Sequence, residues 1–122
     1  MSTLNTKQIN ELITGVKLAA ELKSSQPNLR RFITVFGFSY NNGQYVSLSN
    51  VIGNKQELHF EIRCYEIDVK YYENHWDVSD GDLTNDFIID NIKGIAELEN
   101  KLKDFITDFS ILSPEWNCEN LI

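Results

Sequence analysis

"ELHFEIRCYEIDVKYY", residues 57–72, is the stretch on which the fold turns. Leu58, Phe60, Ile62 and Cys64 alternate with His59, Glu61, Arg63 and Tyr65, the period of two of a strand with one face in a core. From Ile67 the apolar positions become odd-numbered, through Val69 and Tyr71. A strand cannot change faces without an inserted residue, so the pattern predicts a β-bulge or a tight turn at Tyr65-Glu66.

Upstream lies "RRFITVFGFSYNNGQYVSLSNVIG", residues 30–53, rich in β-branched and aromatic residues on both sides of Asn42-Gly43. That dipeptide suits the positive φ angles of a type I′ turn and predicts a hairpin of 31–40 with 44–52. Phe36, Phe38 and Tyr40 then share a face with Tyr45, Ser47 and Ser49. Ile33, Val35, Val46 and Leu48 share the other, so the sheet is either covered on both sides or leaves an aromatic face open.

The flanks read as helices. Ile9, Leu12, Ile13, Val16, Ala19 and Ala20 recur at spacings of three and four, predicting a helix over 6–24, capped by Thr6 and stopped before Pro27. Gly15 lowers its stability without forbidding it. Ile92, Ile95, Leu98, Leu102, Phe105, Ile106 and Phe109 predict an amphipathic C-terminal helix over 91–110, capped by Asn91, with Pro114 beyond its end. Residues 74–79 read as a short strand, and 87–90 as a strand paired with it, although 87–90 also fits a first helical turn. The tail with Trp116, Leu121 and Ile122 is expected to dock on the domain. The expectation is one α+β domain over 1–122: N-terminal helix, antiparallel meander of four to five strands, C-terminal helix.

The 122 residues carry a net charge of −7, distributed unevenly. Residues 1–65 hold seven Lys/Arg against four Asp/Glu, giving +3; residues 66–122 hold four against fourteen, giving −10. An acidic surface repels nucleic-acid phosphates and attracts basic proteins. With 42% hydrophobic residues and no low-complexity tract, wholesale disorder is not expected. No apolar run reaches the roughly 18 residues of a membrane span. The N-terminus lacks a secretory pattern, and two separated cysteines, Cys64 and Cys118, fit reduced thiols, so a cytoplasmic location is expected.

The acidity concentrates in "NHWDVSDGDLTND", residues 74–86. As an EF-hand with Gly81 at loop position 6, it would place Trp76 at position 1 and Phe87 at position 12, and both fail as ligands. A looser calcium or magnesium site, a polar β-turn and a partner surface remain as readings. For the partner surface the candidate residues are Glu66, Asp68, Tyr72, Glu73, His75, Trp76, Asp77, Asp80, Asp82 and Asp86. Aromatic side chains supply contact area, and carboxylates steer a basic partner and accept arginine. The trio His59, Glu61 and Arg63 on one strand face is the best catalytic candidate, and it also describes any solvated strand face. There is no phosphate-binding glycine loop, and Arg30-Arg31 alone makes a solvated strand start more readily than a nucleic-acid patch. No cofactor and no metal site is expected.

The segment "HWDVSDGDLTNDFIIDNIKGIAELENKLKDFI", residues 75–106, resembles the strand, acidic turn and helix that end many immunity proteins of bacterial polymorphic-toxin and contact-dependent growth inhibition systems. The resemblance implies a small acidic α+β protein without an active site. It would block a cognate toxin, commonly a nuclease with a cationic cleft, by stoichiometric binding. An adaptor or chaperone module and a nucleic-acid-mimicking inhibitor are the alternatives, with a small metal-binding or enzymatic domain behind them.

Overall fold

The computed structural model describes the backbone of residues 3–41, 44–47 and 58–118, with side chains for all of these except 39–41, 44–47 and 58. It is an α+β structure built on one antiparallel sheet. Its elements are α1 (Thr6–Ile13), β1 (Leu18–Leu22), β2 (Leu29–Asn41), β3 (Gln44–Ser47), β4 (Leu58–Asp68), α2 (Lys70–Glu73), β5 (Thr84–Lys93), α3 (Gly94–Leu102) and β6 (Ser113–Pro114). Five strands run in the order β5-β4-β2-β1-β6, and β3 joins β2 as a hairpin arm.

The N-terminal helix is half the expected length. Asn5, not Thr6, caps it: its side chain accepts from the Gln8 N–H at 2.8 Å, and the Gln8 side chain accepts from the Asn5 N–H at 3.0 Å. The helix ends at Gly15, whose φ of +90° lies in the region that glycine alone enters cheaply. Gly15 N–H bonds Leu12 O at 3.2 Å and Val16 N–H bonds Glu11 O at 2.9 Å, which is a Schellman motif. The chain then turns, and "LAAEL" becomes β1 between β2 and β6. Its helix-forming composition yields to its position: Leu18, Ala19 and Ala20 are buried in the sheet.

The hairpin has the expected register. Tyr40 pairs with Tyr45, Phe38 with Ser47, and Asn41 with Gln44 across a two-residue loop. The turn itself, and 48–52 of the expected second arm, fall outside the described residues.

In β4 the parity change has a different cause from the one expected. Leu58–Asp68 pairs with β2 without interruption from Ser39 to Leu29, so β4 has no bulge against it. Its two apolar sets face two cores. Phe60, Ile62 and Cys64 pack with Ile33, Val35, Leu12, Leu98 and Leu102 under the helices. Tyr65 and Ile67 pack with Phe32 on the opposite face, covered by Tyr71, Tyr72, Val78, Leu83 and Cys118. Tyr65, expected to point outward, is therefore 1% exposed.

The inserted residues sit in β5. Asp90-Asn91 faces Glu61 alone, and Asn85-Asp86 faces Tyr65 alone. Asn85 and Asn91 have φ of +52° and +58°, the left-handed conformation that Asn tolerates better than most side chains. Asn91 is thus a bulge residue and not a helix cap. The second bulge moves the core-facing positions of β5 from odd to even, so that both Ile89 and Ile92 reach the helix-covered core.

Two further expectations are corrected. Residues 74–79 form no strand, and β5 pairs with β4 instead. The C-terminal helix spans only Gly94–Leu102; the next residues turn, and Phe109–Ile111 forms a 3-10 turn. The apolar stripe still reaches the core, because Leu98, Leu102, Ile106 and Phe109 are all buried. Gln8, 4% exposed, ties this segment to α1 by donating to Phe109 O at 2.7 Å and Leu112 O at 3.0 Å. Among the described residues, no helix is long and apolar enough to cross a membrane.

Candidate protein-binding surface

Helices α1 and α3 cover one face of the sheet. The other carries the acidic stretch. After β4 the chain turns through α2, whose Tyr71 and Tyr72 cover Phe32, Tyr65 and Ile67. Trp76 then packs edge-on against Tyr71, with centroids 5.7 Å apart, and remains 51% exposed. A 3-10 turn at Asp80–Asp82 follows. There Asp82 accepts from the Ser79 N–H at 3.0 Å and the Ser79 hydroxyl at 2.9 Å. Those bonds, with one from Tyr71, hold the Asp82 carboxyl below its ordinary range.

Arg63 links this turn to β5. Its Nε and Nη2 donate to the two oxygens of Asp86 at 2.9 Å each, and Nη2 reaches Asp80 Oδ1 at 3.3 Å. This fork lowers the Asp86 carboxyl and raises the guanidinium. Ile88 pairs with Arg63 across the strands, stands on the same face and is 51% exposed. Two large apolar groups thus stay exposed on this side of the sheet, Trp76 beside Tyr71 and Ile88 beside Arg63.

Much of the acidity is committed inside the fold. Glu66 is 2% exposed and accepts from Ser25 N–H, the Ser25 hydroxyl and Asn85, so it is corrected from a surface residue to a buried anchor. Burial alone would raise its carboxyl; these bonds and nearby Arg31 outweigh that and hold it low. Asp68 accepts from the Lys70 N–H at 3.0 Å. Tyr72 is half-buried under the Arg30 guanidinium, 4.2 Å from the ring centroid, and burial raises its hydroxyl. Glu73, His75 and Asp77 are exposed, His75 with φ of +54°. Asp80 keeps 80% of its side chain in solvent despite Arg63.

The structure therefore joins Asp80 and Asp86 through Arg63, and Trp76 and Asp82 through Tyr71, with Glu73, His75 and Asp77 exposed on the same segment. Sequence reading missed Arg63 and Ile88 in this role. Arg63 sat in an alternation that explained it as a solvated position, and Ile88 was read only as part of the short strand 87–90. Glu97 and Glu99 do not join this surface, because Leu98 and Leu102 place α3 on the opposite face.

The catalytic trio does not assemble as a cleft. His59 is buried and stacked on Phe38, with centroids 5.7 Å apart, while Arg63 is held by carboxylates. Among the described residues no group of three His, Cys, Asp or Glu is placed to hold a metal ion. Cys64 is buried, which raises its thiol, and Cys118 is half-buried against the second core. Comparison with known protein families, curated proteins and solved structures gives no match for this chain.

Proposed function

We propose that this protein is an inhibitor that neutralises a cognate basic bacterial toxin domain, of nuclease type, by stoichiometric binding. The observation that carries the reading is the pair of exposed apolar groups, Trp76 and Ile88, among carboxylates on the face opposite α1 and α3. A half-exposed tryptophan braced by Tyr71 loses little freedom on docking and offers a large contact area. Glu73 and Asp77, without partners among the described residues, and the exposed Asp80 supply the attraction that brings a cationic cleft to it. The −10 charge of residues 66–122 extends that field. Occupying the cleft excludes a polyanionic substrate, and the inhibitor needs no chemistry of its own.

Co-expression with the domain encoded immediately upstream tests the reading. The neighbour is expected to be toxic alone, harmless together with this protein, and recovered as a one-to-one complex. Changing both Asp77 and Asp80 to lysine is expected to weaken the rescue. A toxic neighbour that is neither bound nor rescued overturns the proposal, and full rescue by the double lysine variant overturns the assignment of the surface.

A further inference from the structure

On the helix-covered face, two open cavities meet at Arg31. One, of about 410 Å³, is lined by Leu22, Lys23, Phe105, Ile106 and Ile111 among others. The other, of about 500 Å³, is lined by Ser25, Glu66, Asn85, Asp86 and Phe87. Arg31 borders both, and the Phe87 and Phe105 rings, 5.6 Å apart, form a wall between them. Phe87 and Ile111 leave 39% and 43% of their surface exposed, so the walls are apolar and open to a ligand.

The charges here are unevenly matched. Both oxygens of Glu66 are taken by Ser25 and Asn85, both oxygens of Asp86 by Arg63, and Asp108 accepts from the Ser110 N–H and hydroxyl. Arg31 hydrogen-bonds the Cys64 thiol, which burial keeps neutral, and stands opposite Glu66 across the strands, but no salt bridge reaches it among the described residues. A half-buried guanidinium presents a planar fork of donors that fits a carboxylate with two parallel bonds.

We infer that this cleft binds a small monocarboxylate with an apolar chain or ring, its carboxylate on Arg31 and its body against Phe87, Phe105 and Ile111. A carboxylate suits the site better than a phosphate dianion, because Glu66 and Asp86 stand beside the second cavity and penalise additional negative charge. The inference does not rest on the proposed toxin binding: Asp86 borders both sites, but Trp76 and Ile88 do not line this cleft.

The test is an amide NMR titration of the whole chain with octanoate, octan-1-ol, octylammonium and octyl phosphate. Octanoate is expected to give saturable shifts confined to residues 22–23, 31, 85–87 and 105–111, with octan-1-ol at least about ten-fold weaker because it lacks the charge-assisted bonds. Arg31→Met is expected to erase that difference; should it fail to fold, Arg31→Lys keeps the charge, loses the fork and is expected to bind octanoate more weakly. Equal binding of octanoate and octan-1-ol, shifts outside the cleft, or no saturable shifts overturns the inference. Tighter binding of octyl phosphate or octylammonium overturns the choice of carboxylate.

Discussion

Replacing Glu66 with glutamine removes one charge and almost no volume from a side chain that joins three parts of the fold. Glu66 belongs to β4, Ser25 to the β1–β2 connection and Asn85 to the first bulge of β5. The carboxylate accepts from Ser25 N–H at 2.8 Å, from the Ser25 hydroxyl at 2.7 Å and from the Asn85 amide at 2.6 Å. Glutamine has one accepting atom, so whichever way its amide turns, one donor faces an NH2 group. A hydrogen bond to a charged group contributes about 1.5–3 kcal/mol. Ser25 and Asn85 are themselves exposed and can turn to water, which lowers the expected loss to about 1–3 kcal/mol. In urea, followed by circular dichroism, the midpoint of Glu66→Gln should fall by about 1 M at pH 7. The pH dependence is the sharper part. Glu66 is held below its ordinary value of 4.5, so its contribution is complete above that value and is lost as pH falls through the folded-state value. The gap between the wild type and Glu66→Gln should therefore close as pH drops below about 4.5. A gap under about 0.5 kcal/mol at pH 7, or one unchanged in acid, would refute this account of the buried carboxylate.

Gly15→Ala forces a Cβ into a left-handed position and strains the Schellman turn that separates α1 from β1. It should cost about 1 kcal/mol and lower Tm by about 4 °C in a thermal melt; a rise in Tm would contradict the assignment of Gly15 as the helix stop. Arg63→Met frees Asp80 and Asp86 together. Because Asp80 faces solvent and Asp86 is only partly covered, the loss should be modest, about 1 kcal/mol. Amide shifts at 79–82 and 86 should move in concert, and their failure to do so would separate the turn from β5.

Much of the sheet was legible because its signals are local. The dipeptide Asn42-Gly43 in the sequence pointed to the register that pairs Tyr40 with Tyr45, and the alternation from Phe60 to Cys64 placed β4 against the core. The errors arose where tertiary context outweighs local preference. "LAAEL" is helical by composition, and only the φ of Gly15 and two flanking strands make it β1. Residues 91–93 continue a helical pattern yet lie in β5, because Asn91 absorbs a bulge that no periodicity shows. The parity change at Tyr65 was real but ambiguous: a bulged strand with one core and an unbulged strand between two cores give the same letters. In the candidate surface, the cluster of carboxylates could be read from composition. Which of them were already held depended on pairs such as Arg63 with Asp86 and Ser25 with Glu66, far apart in the chain.

The two tryptophans allow the central claim to be tested within one molecule. Trp76 stands on the proposed binding face, whereas Trp116, 71% exposed, lies beyond β6 next to β1 at the far edge of the sheet from β5. Affinity for the upstream-encoded domain should be measured by calorimetry for the wild type, Trp76→Ala and Trp116→Ala. The account predicts a loss of at least about 2 kcal/mol, or thirty-fold in Kd, for Trp76→Ala and little change for Trp116→Ala. Full affinity in Trp76→Ala, or the loss falling on Trp116→Ala instead, would contradict it.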